Sequence, residues 1–210
     1  MTLDAAWATA WMTRAADAIA DDDAELNDLD RAIGDGDHGE NMNRGFTAVR
    51  SAVAERNADA TPSEVLRIAA LKLISSVGGA AGPLYGTALL RASDAIAGCD
   101  SIDASQVLGL LNAALGGIQD RGHAVPGDKT MVDAWSPAVG AARTAVDAGR
   151  PPADVLAAAA HAAESGARGT DALLPRKGRA SYLGERAVGH RDPGAVSTAI
   201  ILRAAAESAK

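Results

Sequence analysis

The feature that most constrains the fold is hydrophobic spacing of helical period, which recurs from one end of the chain to the other. In the first segment, Leu3, Trp7 and Trp11 recur at this spacing while Asp4 and Arg14 lie on other faces. Helices are predicted at 3–21, 24–33, 38–56, 63–77, 83–97, 103–121, 130–148, 152–169 and 193–209. No run between them alternates as a strand would, and alanine dominates the composition. The sequence therefore predicts an all-α fold.

The separators between these segments are mostly short. Residues 60–63 (ATPS) and 149–152 (GRPP) carry helix stop and start signals. Short connections require neighbouring helices to run antiparallel. No internal repeat or linker marks a boundary, and 210 residues are enough for one well-buried core. We therefore expect a single domain over residues 1–210.

Charge and composition exclude several classes of partner. The net charge is −7 and no run of Lys and Arg occurs, which argues against a nucleic-acid surface. The uncharged run 73–90 is broken by Gly78, Gly82 and Pro83, which predicts a helix end, a turn and a helix start rather than a membrane span. The N-terminus has no signal-peptide pattern, and a lone Cys99, most simply a filler at a helix end, fits a reducing compartment. We expect a cytoplasmic protein that binds neither nucleic acid nor membrane.

Residues 30–39 (DRAIGDGDHG) hold the densest cluster of chemistry. Asp30, Asp35 and Asp37 are ionised near neutral pH, so they repel one another and call for a cation. Carboxylate oxygens suit Mg²⁺ or Ca²⁺, and the intervening glycines allow turns that aim the side chains at one point. The EF-hand calcium-loop pattern is absent. A solvated turn in which Asp37 caps the next helix is the alternative that the residues leave open.

Three further segments are rich in glycine at predicted helix starts. In 77–83 (VGGAAGP), free backbone N–H groups could cradle phosphate, although glycines also permit close helix packing. In 122–131 (GHAVPGDKTM), Asp128 or Thr130 can cap the following helix. In 189–194 (GHRDPG), Asp192 is a natural cap and Pro193 a natural first residue. Together they predict several helix N-termini converging on one polyanion.

The longest interruption, 170–192, concentrates positive charge in an acidic chain. It contains Arg176, Lys177, Arg179, Arg186 and Arg191. Long loops in compact domains are often functional, so an anion or phosphate partner is one interpretation and a solvated basic loop is the other. A nucleoside diphosphate, with a charge of about −3, would be repelled by three aspartates unless two divalent cations lay between them.

These segments, in this order, resemble the DhaL family, the nucleotide-binding subunits of dihydroxyacetone kinases. The matching stretches are 29–46 (LDRAIGDGDHGENMNRGF), 75–87 (SSVGGAAGPLYGT), 126–133 (PGDKTMVD) and 177–197 (KGRASYLGERAVGHRDPGAVS). The similarity spans nearly the whole chain. It implies a closed barrel of about eight antiparallel amphipathic helices, with the nucleotide site in the loops at one rim.

The resemblance also implies the site. Asp30, Asp35 and Asp37 would hold two Mg²⁺ that bridge to the diphosphate of ADP or ATP. Arg179 and His38 would support phosphoryl transfer, and no residue need be a nucleophile. The positions that match nucleotide-binding positions of the family are His38, Gly39, Glu40, Asn41, Gly79, Ala80, Ala81, Gly122, Thr130, Met131, Arg179, Asp192, Pro193 and Gly194.

One position departs from the family pattern. Family members often carry serine where this chain has Ala81. The change removes one hydroxyl donor to phosphate and leaves the backbone amide, at an expected cost of about 1 kcal/mol in nucleotide affinity. Aromatic stacking on adenine is not expected, because few aromatic residues lie in the motifs; aliphatic packing with Met131 is expected instead.

The family contains two types, and the chain resembles the second. ATP-dependent kinases fuse this domain behind a substrate-binding domain, whereas the type dependent on phosphoenolpyruvate and the phosphotransferase system uses a separate chain. A chain of this length that begins with Met looks like the separate subunit, active only with its partners. In that type ADP is a held coenzyme that the phosphoprotein DhaM phosphorylates. The γ-phosphoryl group then passes to dihydroxyacetone on the subunit DhaK, a step of glycerol metabolism.

Three alternatives remain open at this point. His38, His123, His161 and His190 could carry a phosphohistidine relay on this chain, although a metal-bridged nucleotide site needs none. The chain could be the nucleotide subunit of an ATP-exchanging triose or tetrulose kinase. It could also be a non-catalytic, ADP-bound regulator of a transcription factor.

Overall fold

The computed structural model describes residues 2–210, and within them it is almost entirely helical. The nine α-helices are α1 (Ala5–Asp21), α2 (Asp23–Ile33), α3 (His38–Ala54), α4 (Pro62–Ser76), α5 (Ala81–Ala95), α6 (Ala104–Gly122), α7 (Val132–Asp147), α8 (Pro152–Gly169) and α9 (Pro193–Glu207). Two short strands, β1 (Leu3–Asp4) and β2 (Ser101–Ile102), and three 3₁₀ turns, Thr170–Ala172, Arg179–Tyr182 and Gly184–Ala187, complete the chain. The predicted all-α class is confirmed, and each predicted helix is present.

Local capping explains where the helices begin. Asp4 accepts hydrogen bonds from the N–H groups of Ala6 and Trp7, so α1 begins at Ala5 rather than at residue 3. Before α4, Thr61 and Glu64 form a capping box in which each side chain accepts from the other's backbone N–H. Observed helix bounds differ from the predicted ones by no more than two residues.

Eight helices close into a ring in which each contacts the next. The order around the ring is α1, α3, α4, α5, α6, α7, α8 and α9, and α9 returns to α1; α2 lies outside and packs on α3 and α9. The four-residue connections from α4 to α5 and from α7 to α8 favour antiparallel packing of these neighbours. This closed arrangement lets each helix bury an apolar face against one shared core.

The ring closes where α1 meets α9, through two tryptophans. The rings of Trp7 and Trp11 stack with centroids 5.3 Å apart, and both side chains are buried. Trp7 Nε1 donates to the carbonyl of Ala205 (3.1 Å) and Trp11 Nε1 to that of Ile201 (2.9 Å). The buried indole rings and the hydrogen bonds of their N–H groups together hold α1 against α9.

One expectation about regular structure needed adjustment. Leu3 and Asp4 do not start the first helix but pair antiparallel with Ile102 and Ser101. The strand was not predicted because two residues cannot show an alternation. Within residues 2–210, no helix is long and apolar enough to cross a membrane.

Candidate functional site

The starts of α3, α5, α7 and α9 meet at one end of the ring and, with residues 177–180, enclose a cavity of about 270 Å³. The four segments therefore converge as predicted. The predicted site residues that line the cavity are Asp30, Asp35, Asp37, His38, Asn41, Gly79, Ala80, Ala81, Thr130, Met131, Arg179, Asp192, Pro193 and Gly194.

Three of the predicted residues do not line this cavity: Gly39, Glu40 and Gly122, of which Gly122 lines a neighbouring cavity. Gly39 faces α2, where an added Cβ would lie 2.0 Å from a backbone oxygen, so close helix packing accounts for the glycine. Glu40 is exposed; its N–H donates to Asn27 Oδ1 (3.1 Å) and its carboxylate lies 3.9 Å from Arg44. The prediction took Gly39 and Glu40 from their position in the motif, but side chains of successive helical residues point in different directions.

The three aspartates form a compact carboxylate cluster. Asp30 is in the last turn of α2 and is buried, whereas Asp35 and Asp37 are exposed in the loop before α3; one oxygen from each lies within 4.8 Å of the others. Asp37 occupies the N-cap position of α3, but its side chain makes no capping bond. The capping alternative therefore does not account for Asp37, and three oxygen donors at this spacing fit a hard divalent cation.

Backbone groups of the same loop hold the cluster in place. Asp30 Oδ2 accepts from the N–H groups of Gly36 (2.9 Å) and Asp37 (3.0 Å). Gly36 has φ +81°, which favours glycine, and a Cβ on Gly34 would lie 2.2 Å from Asp30 Oδ1. The glycines thus let the loop fold tightly around the buried carboxylate.

Arg179 supplies the positive charge nearest to the cluster. Its guanidinium lies 2.9 Å from Asp35, and the side chain is largely exposed. Of the other basic residues of the loop, Lys177 also lines the cavity, whereas Arg191 pairs with Asp171 (2.8 Å) and Arg176 and Arg186 do not reach the cavity. The basic loop is therefore divided between the cavity and a structural ion pair.

The start of α5 presents backbone rather than side chains to the cavity. Ala80 is its N-cap residue, no side chain of residues 2–210 caps the helix, and Gly79 has φ +63°. Uncapped N–H groups at a helix start attract anions. Gly82 has a different role, since its Cβ would lie 2.4 Å from the carbonyl oxygen of Val77. Gly79 therefore fits the interpretation as a phosphate-binding turn, whereas Gly82 fits close helix packing.

The loop before α7 differs from its predicted capping. Asp128 does not cap the helix: its carboxylate accepts from the N–H of Val125 (2.9 Å). Thr130 Oγ1 accepts from the N–H of Val132 (3.2 Å), and the carboxylate of Asp133 accepts from that of Thr130 (2.8 Å). The prediction for Asp128 was wrong because the loop turns back on itself before the helix begins.

Lys129 is a site residue that sequence reasoning missed. Its side chain is buried (1% exposed) although its backbone has φ +60°, which few lysines adopt. Its ammonium donates to the carbonyls of Thr170 and His190 and thereby joins both ends of segment 170–192. Burial lowers the pKa of Lys129, against a raising effect of nearby Asp192. A single lysine in a loop is usually solvated, so no sequence signal marked it.

Among the four histidines only His38 lines the cavity. Its Nε2 lies 2.9 Å from Ser197 Oγ; burial lowers the pKa of His38, while Asp30 and Asp37 raise it. His123, His161 and His190 line neither this cavity nor its neighbour. The arrangement thus offers no second histidine for a relay.

Asp192 caps the start of α9, as predicted. It accepts from the N–H of Ala195 (2.8 Å), and Pro193 is the first helical residue. Desolvation by the surrounding protein raises the pKa of Asp192 to about 7, although the bond from Ala195 lowers it. Its backbone N–H donates to Thr170 Oγ1 (3.0 Å), which ties the helix start to the loop that Lys129 holds.

A second, apolar cavity of about 430 Å³ adjoins the first. Leu84, Ile118 and Met131 line it, together with Gly122 and Ala124, and no aromatic side chain is among its lining residues in 2–210. Met131, Thr130 and Ala80 belong to both cavities. A charged space and an apolar space therefore share one wall, which is an arrangement suited to a ligand with a charged and an apolar half.

The fold and the site define the class of protein. The profile of the DAK2 domain matches residues 32–207, and the chain belongs to this family. It is 42% identical over 200 residues to "PEP-dependent dihydroxyacetone kinase, ADP-binding subunit DhaL" of Escherichia coli (strain K12), which covers 95% of each chain. It is also 42% identical to the protein of the corresponding name, numbered 1, of Listeria innocua, over 97% of this chain and 96% of the relative.

Longer proteins contain a similar segment. The chain is 39% identical to the L-erythrulose 1-kinase of Mycolicibacterium smegmatis, over 90% of this chain and 33% of that one. Among solved structures it resembles the dihydroxyacetone kinase from C. freundii in complex with AMP-PNP and Mg²⁺, with 25% identity and a TM-score of 0.71 over 95% of this chain. It corresponds to 33% of that enzyme.

Proposed function

We propose that this chain is the ADP-binding subunit of a phosphoenolpyruvate-dependent dihydroxyacetone kinase. In this role it holds Mg²⁺-bound ADP as a coenzyme. A DhaM-type phosphoprotein passes a phosphoryl group to the coenzyme, which passes it to dihydroxyacetone on a DhaK-type subunit. The observation that carries the proposal is the carboxylate cluster beside an uncapped helix start, in a chain 42% identical to DhaL subunits over nearly their full length.

The metal would be held by Asp30, Asp35 and Asp37. Their oxygens lie within 4.8 Å of one another, and Asp37 is not engaged as a cap. We propose two Mg²⁺ ions on the basis of charge. Three carboxylates and a diphosphate together carry about −6, two ions supply about +4, and the basic residues supply the remainder. When bound, Mg²⁺ neutralises charge on the phosphoryl oxygens.

This chain's own residues would bind and orient the nucleotide. Ala80 and Ala81 at the uncapped start of α5 line the cavity and would offer backbone N–H groups to phosphate, and Arg179 can leave Asp35 for a phosphoryl group. The apolar cavity, walled by Leu84, Ile118 and Met131, would take the adenine ring by aliphatic packing. The chain itself needs no nucleophile, since its role is to position the transferring group and stabilise its charge.

The partners and the setting form part of the proposal. The relatives are named as subunits, which supports a DhaK-type and a DhaM-type partner for this chain. The free thiol of Cys99 supports a cytoplasmic location. We propose that residues 1–210 act as one nucleotide-binding domain, because one apolar core joins the helices of the ring. A further role as regulator of a transcription factor would use the same ADP-bound state.

The first test is to denature the purified protein and identify any released nucleotide by chromatography. Near-stoichiometric ADP that survives gel filtration with Mg²⁺ is expected of a resident coenzyme. The protein loaded with nucleotide should then transfer phosphoryl groups only in the presence of both partners. An empty site, with turnover driven by free ATP and a sugar-binding subunit alone, would contradict the proposal.

That outcome would favour a second candidate, the nucleotide subunit of an ATP-exchanging triose or tetrulose kinase. The observation in its favour is the 39% identity to an L-erythrulose 1-kinase. ADP retention with no phosphoryl transfer in any mixture of partners would instead favour a regulator.

A further inference from the structure

A buried chain of hydroxyl groups lies behind His38. Tyr85 on α5 is 2% exposed, and its hydroxyl lies 2.9 Å from the carbonyl of Gly194, 2.7 Å from Ser197 Oγ and 2.9 Å from Thr198 Oγ1. Ser197 Oγ is in turn 2.9 Å from His38 Nε2. Ser197 and Thr198 are fully buried, so these groups depend on one another for hydrogen bonds.

Counting hydrogens decides the direction of each bond. The carbonyl of Gly194 can only accept, and each hydroxyl has one hydrogen to donate. Burial raises the pKa of Tyr85, so its phenol keeps that hydrogen. If Tyr85 donates to Gly194, then Ser197 must donate to Tyr85, because otherwise two oxygens 2.7 Å apart would have no hydrogen between them.

The remaining step concerns the histidine. With its hydrogen on Tyr85, Ser197 can only accept from His38, so Nε2 must carry a hydrogen. The reverse order, in which Ser197 donates to His38, leaves either the contact between Tyr85 and Ser197 or that between Tyr85 and Gly194 without a hydrogen. Only one arrangement places a hydrogen in every contact of 2.9 Å or less.

We propose that Tyr85 and Ser197 are positioning residues that hold the His38 ring in the Nε2–H tautomer and leave Nδ1 as the nitrogen that meets a bound ligand. A neutral ring held in this way offers a hydrogen-bond acceptor at Nδ1. The partner of Nδ1 in that neutral ring is a donor, such as a ribose hydroxyl or a water molecule. The proposed function enters only in identifying that ligand as the nucleotide.

The test is a long-range ¹H–¹⁵N correlation spectrum of the nucleotide-free protein at mildly alkaline pH, in which the two neutral tautomers give different patterns. The signal of His38 is assigned by its loss in His38→Gln. We expect the Nε2–H pattern for His38 in the unmodified protein. In Tyr85→Phe, Ser197 loses its nearest acceptor and is left with the carbonyl of Gly194 at 3.2 Å and His38 Nε2 at 2.9 Å. It can then donate to His38 for part of the time, so the signals should move towards the averaged values of a tautomer mixture.

Thr198→Val is the matched control, because the Thr198 hydroxyl is hydrogen-bonded to the phenol oxygen and lies outside the path from Gly194 to His38. It should keep the Nε2–H pattern and retain ADP as the unmodified chain does, whereas Tyr85→Phe should retain ADP about 10-fold less tightly. Melting curves confirm that both variants are folded. An Nδ1–H pattern in the unmodified protein, or an unchanged His38 pattern in Tyr85→Phe, would overturn the inference, whatever the nucleotide result. Correct tautomers without any ADP binding would overturn the proposed function alone.

Discussion

The seam between α1 and α9 and the loop 30–39 are both held by a few hydrogen bonds, yet they are opposite in physical character. At the seam, Trp7 and Trp11 bury large apolar rings and satisfy their N–H groups on carbonyls of α9. In the loop, three carboxylates approach within 4.8 Å of one another. The seam lowers the free energy of the folded chain, whereas the loop adds like-charge repulsion that a bound cation would relieve.

From this contrast we infer that different residues determine the stability of the fold and the affinity for a ligand. Each seam tryptophan is held by polar bonds within the protein, so a change there should alter folding and leave ligand affinity unchanged. The aspartates of the loop converge on one point, and Asp35 and Asp37 are exposed to a ligand, so a change at either should alter affinity and leave folding nearly unchanged. Lys129 is the exception, because it is buried like a core residue and yet lines the site.

The largest expected effect is from Asp37→Ala. Removing one of three carboxylate donors should weaken Mg²⁺-dependent ADP binding by more than ~100-fold, with helicity and unfolding free energy nearly unchanged. Isothermal titration with ADP, with and without Mg²⁺, measures the loss. Asp17→Ala removes the same charge from an exposed ion pair with Arg50 and should bind normally. Unchanged ADP retention in Asp37→Ala would refute the metal assignment.

Trp11→Ala should give the complementary result at the seam. The lost burial of the indole and the loss of its hydrogen bond to Ile201 should lower the free energy of unfolding by about 3–5 kcal/mol, as measured by urea denaturation. Trp11→Phe, which keeps most of the apolar area, should lose less. ADP affinity measured below the unfolding transition should stay within about 2-fold. A large affinity loss in the folded variant would show that seam and site are coupled.

Lys129→Met tests the residue that belongs to both regions. The carbonyls of Thr170 and His190 would lose the buried ammonium as a donor, at a cost of about 1–3 kcal/mol in unfolding free energy. Amide hydrogen exchange over 170–192 should speed up, and ADP should bind more weakly. Lys72→Met, at an exposed position of α4, is the control for loss of charge. Normal exchange in the loop would exclude an anchoring role.

Gly34→Ala probes the packing of the loop itself. The new Cβ would lie 2.2 Å from Asp30 Oδ1, so the carboxylate must move. We expect about 10-fold weaker Mg²⁺-dependent ADP binding, since groups that hold a metal ligand typically contribute on that scale. Gly116→Ala, in open space on α6, should bind normally and gain up to about 1 kcal/mol of stability. Equal binding in both variants would contradict the close-approach argument.

The smallest effect is expected from Ala81→Ser, the reversal of the departure from the family pattern. A hydroxyl at the first residue of α5 would add one donor to the cavity and tighten ADP binding by about 1 kcal/mol, or up to about 5-fold. Competition titrations resolve a change of this size. Ala97→Ser, at an exposed position after the same helix, should have no effect. Weaker binding in Ala81→Ser would show that the smaller side chain is needed there.

The sequence alone determined the nine helices to within two residues and the composition of the carboxylate cluster. Both are local: a helical face repeats every three to four residues, and Asp30, Asp35 and Asp37 lie within eight positions of one another. The convergence of four helix starts could also be anticipated, because their polar and glycine-rich sequences are unusual for simple turns.

Only the tertiary structure decided which residues meet across the chain. Trp7 is bonded to Ala205, Lys129 to Thr170 and His190, and His38 to Ser197, at separations of 41 to 198 residues. The same structure turned Gly39 and Glu40 away from the cavity and Asp128 away from its predicted cap. Local patterns specify a helix because its hydrogen bonds are local. Closure of the ring depends on the packing of all eight helices at once, and that is a property of no single segment.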